Sequence, residues 1–111
     1  MAFQRVCTLD DLWQGEMMNY TVGGIDVLLV HTDAGQLVAT QAMCPHQEVE
    51  LVQGELSGCI LTCRAHLWRF NVVEGKGINP DHAELAIYPI KVEDDVVYVD
   101  VEGVEPKFAH S

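Results

Sequence analysis

The sequence predicts an all-β domain, an antiparallel β-sandwich, on three observations. Short runs rich in Val, Ile, Leu, Thr and Tyr follow one another along most of the chain, turn residues bound each run, and no long segment carries helical periodicity. The chain has 111 residues, the length of one compact domain spanning residues 1–111. At that size a fold buries roughly 60–68% of its extended surface, enough for one core and no second domain.

Thr8-Leu9-Asp10-Asp11 places a capping Thr three residues before an acid, which predicts one short helical turn through about Gly15. Strands are expected at Glu16–Val22, Ile25–Thr32, Leu37–Met43, Cys59–Thr62, Leu67–Asn71, Leu85–Val92 and Val96–Glu102. Gly23-Gly24 is a two-residue hairpin signal, and Asp33-Ala34-Gly35 and Glu93-Asp94-Asp95 are longer turns. Between Val72 and Glu84 the residues Gly75, Gly77 and Pro80 suggest a long ordered loop, a kind of segment that often carries function.

Charge and hydropathy exclude several classes. With 17 acidic against 6 basic residues, a net charge of −11 and a pI near 4.5, the chain is unsuited to nucleic acid or to an anionic membrane surface. Its longest aliphatic stretch, Val27-Leu28-Leu29-Val30, is far short of the roughly 20 residues of a spanning helix. The start, Met1 to Cys7, has no apolar signal region, so a cytoplasmic location is expected and the four cysteines are read as thiols.

Two pieces stand out chemically: Cys44-Pro45-His46 and Cys63-Arg64-Ala65-His66, sixteen residues apart and both at strand ends. Two thiolates and two imidazoles would suit zinc, but zinc sites usually pair Cys with Cys in one knuckle and His with His on a helix. One mixed pair per loop suits two irons better, each loop giving its Cys to one iron and its His to the other. A nucleophilic Cys63 with His66 as its base would need an orienting group and an oxyanion donor, and the sequence suggests neither.

C-x-H, sixteen residues, then C-x-x-H resembles the Rieske signature. The stretches Gln41–Glu48, Thr62–Asn71 and Gly77–Asp81, and the Ala109-His110-Ser111 end, resemble the Rieske ferredoxins of toluene and xylene monooxygenases. The resemblance implies a Rieske-like sandwich with a small cluster-binding subdomain, about 42–83, formed by two ligand loops. It implies one [2Fe–2S] cluster, with Cys44 and Cys63 on the buried iron and His46 and His66 on the outer one, and it places Pro45, Gln47, Trp68 and Pro80 around that cluster. Pro45 would stiffen its turn, Trp68 reads first as a core aromatic, Pro80 would shield the site, and His82 reads as an exposed histidine. Cys7 and Cys59 read as small core residues, His31 and His110 receive no role, and Arg64, between two ligands, marks a docking edge.

The function so implied is electron relay, without catalysis by this chain. Single electrons would pass from an NADH-dependent FAD/iron–sulfur reductase to the diiron hydroxylase of an aromatic hydrocarbon monooxygenase, and the free protein would be a monomer. The alternatives are the ferredoxin of a ring-hydroxylating dioxygenase, a nitrite-reductase small subunit and, from another class, a zinc-stapled interaction module. With two imidazoles replacing thiolates, the oxidised site is neutral and the reduced site carries one negative charge. High-potential relatives place disulfide cysteines where this chain has Glu48 and Ala65, and Ser and Tyr where it has Trp68 and Phe70. Without those hydroxyl donors a potential near the low end of the Rieske range, about −150 mV, is expected. The acidic excess reads mainly as solubility, with a share in attraction to basic partner patches.

Overall fold

The computed structural model describes residues 3–33, 35–45, 49–64, 68–79 and 83–104. Among them are eleven strands, paired antiparallel throughout into three sheets: β1 (Gln4–Thr8), β2 (Met17–Val22), β3 (Ile25–His31), β4 (Leu37–Gln41), β5 (Glu55–Ser57), β6 (Ile60–Thr62), β7 (Arg69–Asn71), β8 (Lys76–Asn79), β9 (Ile87–Tyr88), β10 (Ile90–Glu93) and β11 (Val96–Val99). The sheet orders are β1-β11-β10, β2-β3-β4-β9 and β5-β6-β7-β8. Among the described residues no helix is long and apolar enough to cross a membrane.

The aliphatic run Val27-Leu28-Leu29-Val30 explains how the sheets stack. All four residues are fully buried on β3, and alternation sends them to opposite faces. Val27 and Leu29 join Cys7, Leu12, Ala39, Tyr88, Val97 and Val99 in the core of the sandwich between the first two sheets. Leu28 and Val30 face a second core with Cys44, Leu51, Leu61, Cys63, Phe70 and Val72, under the sheet β5–β8. The middle sheet is therefore covered on both sides, and each buried aliphatic contributes about 1.5–3 kcal/mol to holding the layers together.

Gly23-Gly24 forms the expected two-residue turn, with both φ positive (57° and 80°) and Val22 opposite Ile25. Asp94 and Asp95 take the same left-handed conformation in a turn that leaves Glu93 opposite Val96.

Several elements differ from expectation. The helical turn after Thr8 is a 3-10 turn over Leu9–Asp11, not one reaching Gly15: the Asp11 carboxylate accepts the Thr8 N–H (3.0 Å) and hydroxyl (3.1 Å) at its start, and the chain turns extended at Leu12 (φ −143°, ψ 104°). The stretch 72–84 is not all loop: Lys76–Asn79 pairs with β7 across a bulge. The segment Leu85–Val92 divides at Pro89 into β9 and β10, which join different sheets. Strands β1 and β5 were not foreseen, and Cys59 lies in the turn before β6, half-buried, not on the strand.

Candidate metal centre

Strand β4 ends at Gln41 and the chain turns back at once. The Cys44 N–H donates to the Val49 carbonyl at 2.8 Å, Met43 bridges Glu50, and the Leu51 N–H donates to the Ala42 carbonyl at 2.9 Å. The second loop has the same base. The Cys63 N–H donates to the Trp68 carbonyl at 2.6 Å, and Arg69 of β7 lies opposite Thr62 of β6. Each loop thus begins on a Cys whose N–H is tied to the carbonyl five residues on. The third segment, Gly77 to Ala83, is also closed at its base, by Gly77 N–H to the Ala83 carbonyl at 2.7 Å and Leu85 N–H to the Gly75 carbonyl at 2.9 Å.

Residues that local sequence does not single out hold these bases. Gln41, only 1% exposed, accepts the Ala86 N–H on Oε1 at 2.8 Å and donates from Nε2 to the Met43 carbonyl at 2.8 Å, tying the approach to Cys44 to the strand that follows the third segment. At Gly54 a Cβ would be built into the Thr62 carbonyl, one residue before Cys63, so only glycine lets these backbones approach. Gly75 has φ +72°, and a Cβ there would meet the Leu85 carbonyl at 2.9 Å. Asn71 Oδ1 accepts the N–H groups of Val73 and Glu74, shaping the turn into β8.

The structure brings Cys44 (1% exposed) and Cys63 (0%) into one buried core, with Trp68 partly buried against it and Pro45 buried. The Trp68 ring lies 6.4 Å from that of Phe70, in agreement with its reading as a core aromatic. His46, Gln47, His66, Pro80 and His82 lie outside the described residues. The donor chemistry of this core fits an iron–sulfur group: two soft sulfur donors at the heads of matching loops, in a place where thiolates would be costly unless neutralised by bound cations. Cys7 sits in the other core as a small buried residue; burial raises its thiol pKa, and its partner Tyr20 is pushed up to about 12, chiefly by burial. His31 has a structural contact, Nδ1 lying 2.9 Å from the Leu12 carbonyl.

Comparison with known proteins matches residues 2–89 to the Rieske [2Fe–2S] domain. The ferredoxin component of the alkene monooxygenase system of Xanthobacter autotrophicus is 46% identical over 107 residues, covering 96% of this chain and 84% of that protein. The ferredoxin component of biphenyl 2,3-dioxygenase from Rhodococcus jostii is 34% identical over 104 residues, covering 93% and 96%. The solved ferredoxin of carbazole 1,9a-dioxygenase from Nocardioides aromaticivorans superimposes with a TM-score of 0.81 at 27% identity, covering 89% of this chain and 97% of that one. With a matched family model over most of its length, relatives that are ferredoxins and a fold that agrees, the chain belongs to the Rieske [2Fe–2S] domain family, and its cofactor is one Rieske-type [2Fe–2S] cluster.

Proposed function

We propose that this chain is a single-domain electron-transfer ferredoxin of a multicomponent monooxygenase. Its cluster-binding region is about 42–83, and it relays single electrons from an NADH-dependent flavoprotein reductase to a diiron hydroxylase acting on aromatic hydrocarbons. The observation that carries the reading is the pair of matching loops, each headed by a buried cysteine and converging on one core. Cys44 and Cys63 would hold one iron, and His46 and His66 the other. When bound, the cluster takes up and gives back one electron. The protein's part is to present both thiolates from backbone whose N–H groups are already tied, and to keep water from them with Leu51, Leu61 and Phe70, all fully buried.

The 46% identity to an alkene monooxygenase ferredoxin supports a monooxygenase partner. The biphenyl dioxygenase ferredoxin and the carbazole dioxygenase fold support the second reading, a ring-hydroxylating dioxygenase. Electron paramagnetic resonance before and after dithionite, with iron and sulfide analysis, tests the assignment. Two irons per chain and a signal of low average g appearing only on reduction are expected; a silent sample with one zinc and no sulfide would overturn it. His46→Cys and His66→Cys should lower the potential wherever a cluster assembles. Reconstitution with purified diiron hydroxylase and with a Rieske dioxygenase separates the two partners by which one turns over.

A further inference from the structure

Arg64 follows Cys63 directly in the chain. Its guanidinium is exposed yet held, Nη1 donating to Gln53 Oε1 at 2.9 Å. The two side chains flank a cleft of about 300 Å³ lined also by Gly54, Glu55, Thr62 and Cys63. In a chain with 17 acids, a base readily meets a carboxylate, as Lys91 does at 3.3 Å from Glu93. Arg64 meets an amide instead, and it forms no ion pair among the described residues although Glu55 lines the same cleft. An amide oxygen orients a guanidinium and brings no opposing charge, so the full positive charge remains. Water lies on one side of it. Cys63, its neighbour in the chain, is fully buried and lines the same cleft, so the charge stands at the boundary between solvent and the core that holds Cys63.

We propose that Arg64, fixed by Gln53, is a potential-setting cation. The reduced site carries one more negative charge than the oxidised one, so a fixed positive charge beside Cys63 stabilises the reduced form and raises the midpoint potential. The proposal rests on Cys63 being a ligand, as read above. Gln53 acts as a positioning residue, keeping the guanidinium over the cleft when it would otherwise swing into solvent.

The test is a redox titration of the cluster-loaded protein, followed by visible absorbance, for the wild type, Arg64→Gln, Arg64→Lys and Gln53→Ala. It is run at about 10 mM and about 1 M salt, where the screening length is about 30 Å and about 3 Å. Arg64→Gln should lower the midpoint at low salt, Gln53→Ala should lower it less, Arg64→Lys should retain most of it, and the differences should narrow at high salt. An Arg64→Gln midpoint equal to wild type at low salt, with the cluster spectrum intact, would overturn the proposal. So would a difference that salt does not narrow, which would point to altered loop geometry. If Arg64→Gln fails to load, Gln53→Ala decides by the same criteria. A Cys63→Ser variant with an unaltered cluster spectrum would instead remove the ligand assignment.

Discussion

Gln41→Met isolates the brace that ties the approach to Cys44 to Ala86, just before β9. Methionine keeps nearly the same volume and removes these two side-chain hydrogen bonds, leaving the buried Ala86 N–H and the half-buried Met43 carbonyl without their 2.8 Å partners. Orphaning a buried polar group costs about 1–3 kcal/mol and the half-buried carbonyl, which water can reach, adds less, so the pair costs about 2–4 kcal/mol. Against a typical total stability of about 5–15 kcal/mol this is a large fraction. With a urea slope of about 2 kcal/mol per molar, a loss of about 4 kcal/mol moves the midpoint down by about 2 M. Anaerobic urea unfolding followed by circular dichroism measures it, with Gln14→Met in an exposed turn as the control expected to stay within about 0.5 kcal/mol. Because the Met43 carbonyl lies next to Cys44, visible absorbance of the variant should bleach at lower urea than its circular dichroism is lost. A midpoint shift below about 0.5 M would refute the energetic argument, since it would mean the two backbone groups find other partners. Coincident bleaching and unfolding would refute the local one.

Gly54→Ala should cost about 1–3 kcal/mol by overpacking and reduce iron per chain, since the displaced carbonyl precedes Cys63. Gly58→Ala, at φ +60° but with open space around it, should cost about 1 kcal/mol and no iron; equal iron losses in the two variants would sink the distinction. Phe70→Ala, at a fully buried position, should cost about 3–5 kcal/mol and lower the melting temperature by more than about 10 °C, and a fall of a few degrees would show that the core collapses around the gap. The Thr8 N–H and hydroxyl hold the Asp11 carboxyl below its ordinary range. A depressed folded pKa contributes stability above the unfolded value, lost as pH falls through the folded value. Thr8→Val, which keeps the N–H and removes the hydroxyl, should raise the Asp11 titration seen by carboxyl NMR, and an unmoved titration would exclude the hydroxyl's part.

What could be read from the sequence was what local chemistry alone decides. Gly23-Gly24 fixed a hairpin because only glycine enters two successive left-handed positions at no steric cost. Four consecutive aliphatics marked a strand, although their number hinted at burial on both faces, and the sequence reading stopped at a single core. The Cys44 and Cys63 loops stood out because few residue types carry such chemistry at fixed spacing, and the structure brings both cysteines into one core. Strands β1 and β5 were missed since Gln4–Thr8 and Glu55–Ser57 carry little apolar pattern; they exist because Val96–Val99 and Ile60–Thr62 offer them partners. Lys76–Asn79 was hidden by its glycine and by a bulge. Gln41 and Gly54 were invisible as braces for a related reason. A buried amide or a close backbone approach is a relation between distant segments, and neither residue announces it locally.

The arrangement also explains why the two cysteine loops sit where they do. β4, whose end leads into Cys44, belongs to the middle sheet, whose faces are both covered, while Cys63 leaves β6 of the outer sheet. The two cysteines therefore come from different layers, and the core that joins those layers is the same core that receives their side chains. Packing between the layers and placement of the two cysteines therefore draw on the same core. An electron carrier gains from this arrangement, because the N–H groups of Cys44 and Cys63 are each committed to a carbonyl five residues on, and preorganised polar groups need no reorganisation when the charge of the site changes by one. The same logic places Arg64 at the rim, not in the core. A cation that biases the potential from the rim need not be buried, and an exposed guanidinium pinned by Gln53 holds its charge there without the cost of burying it.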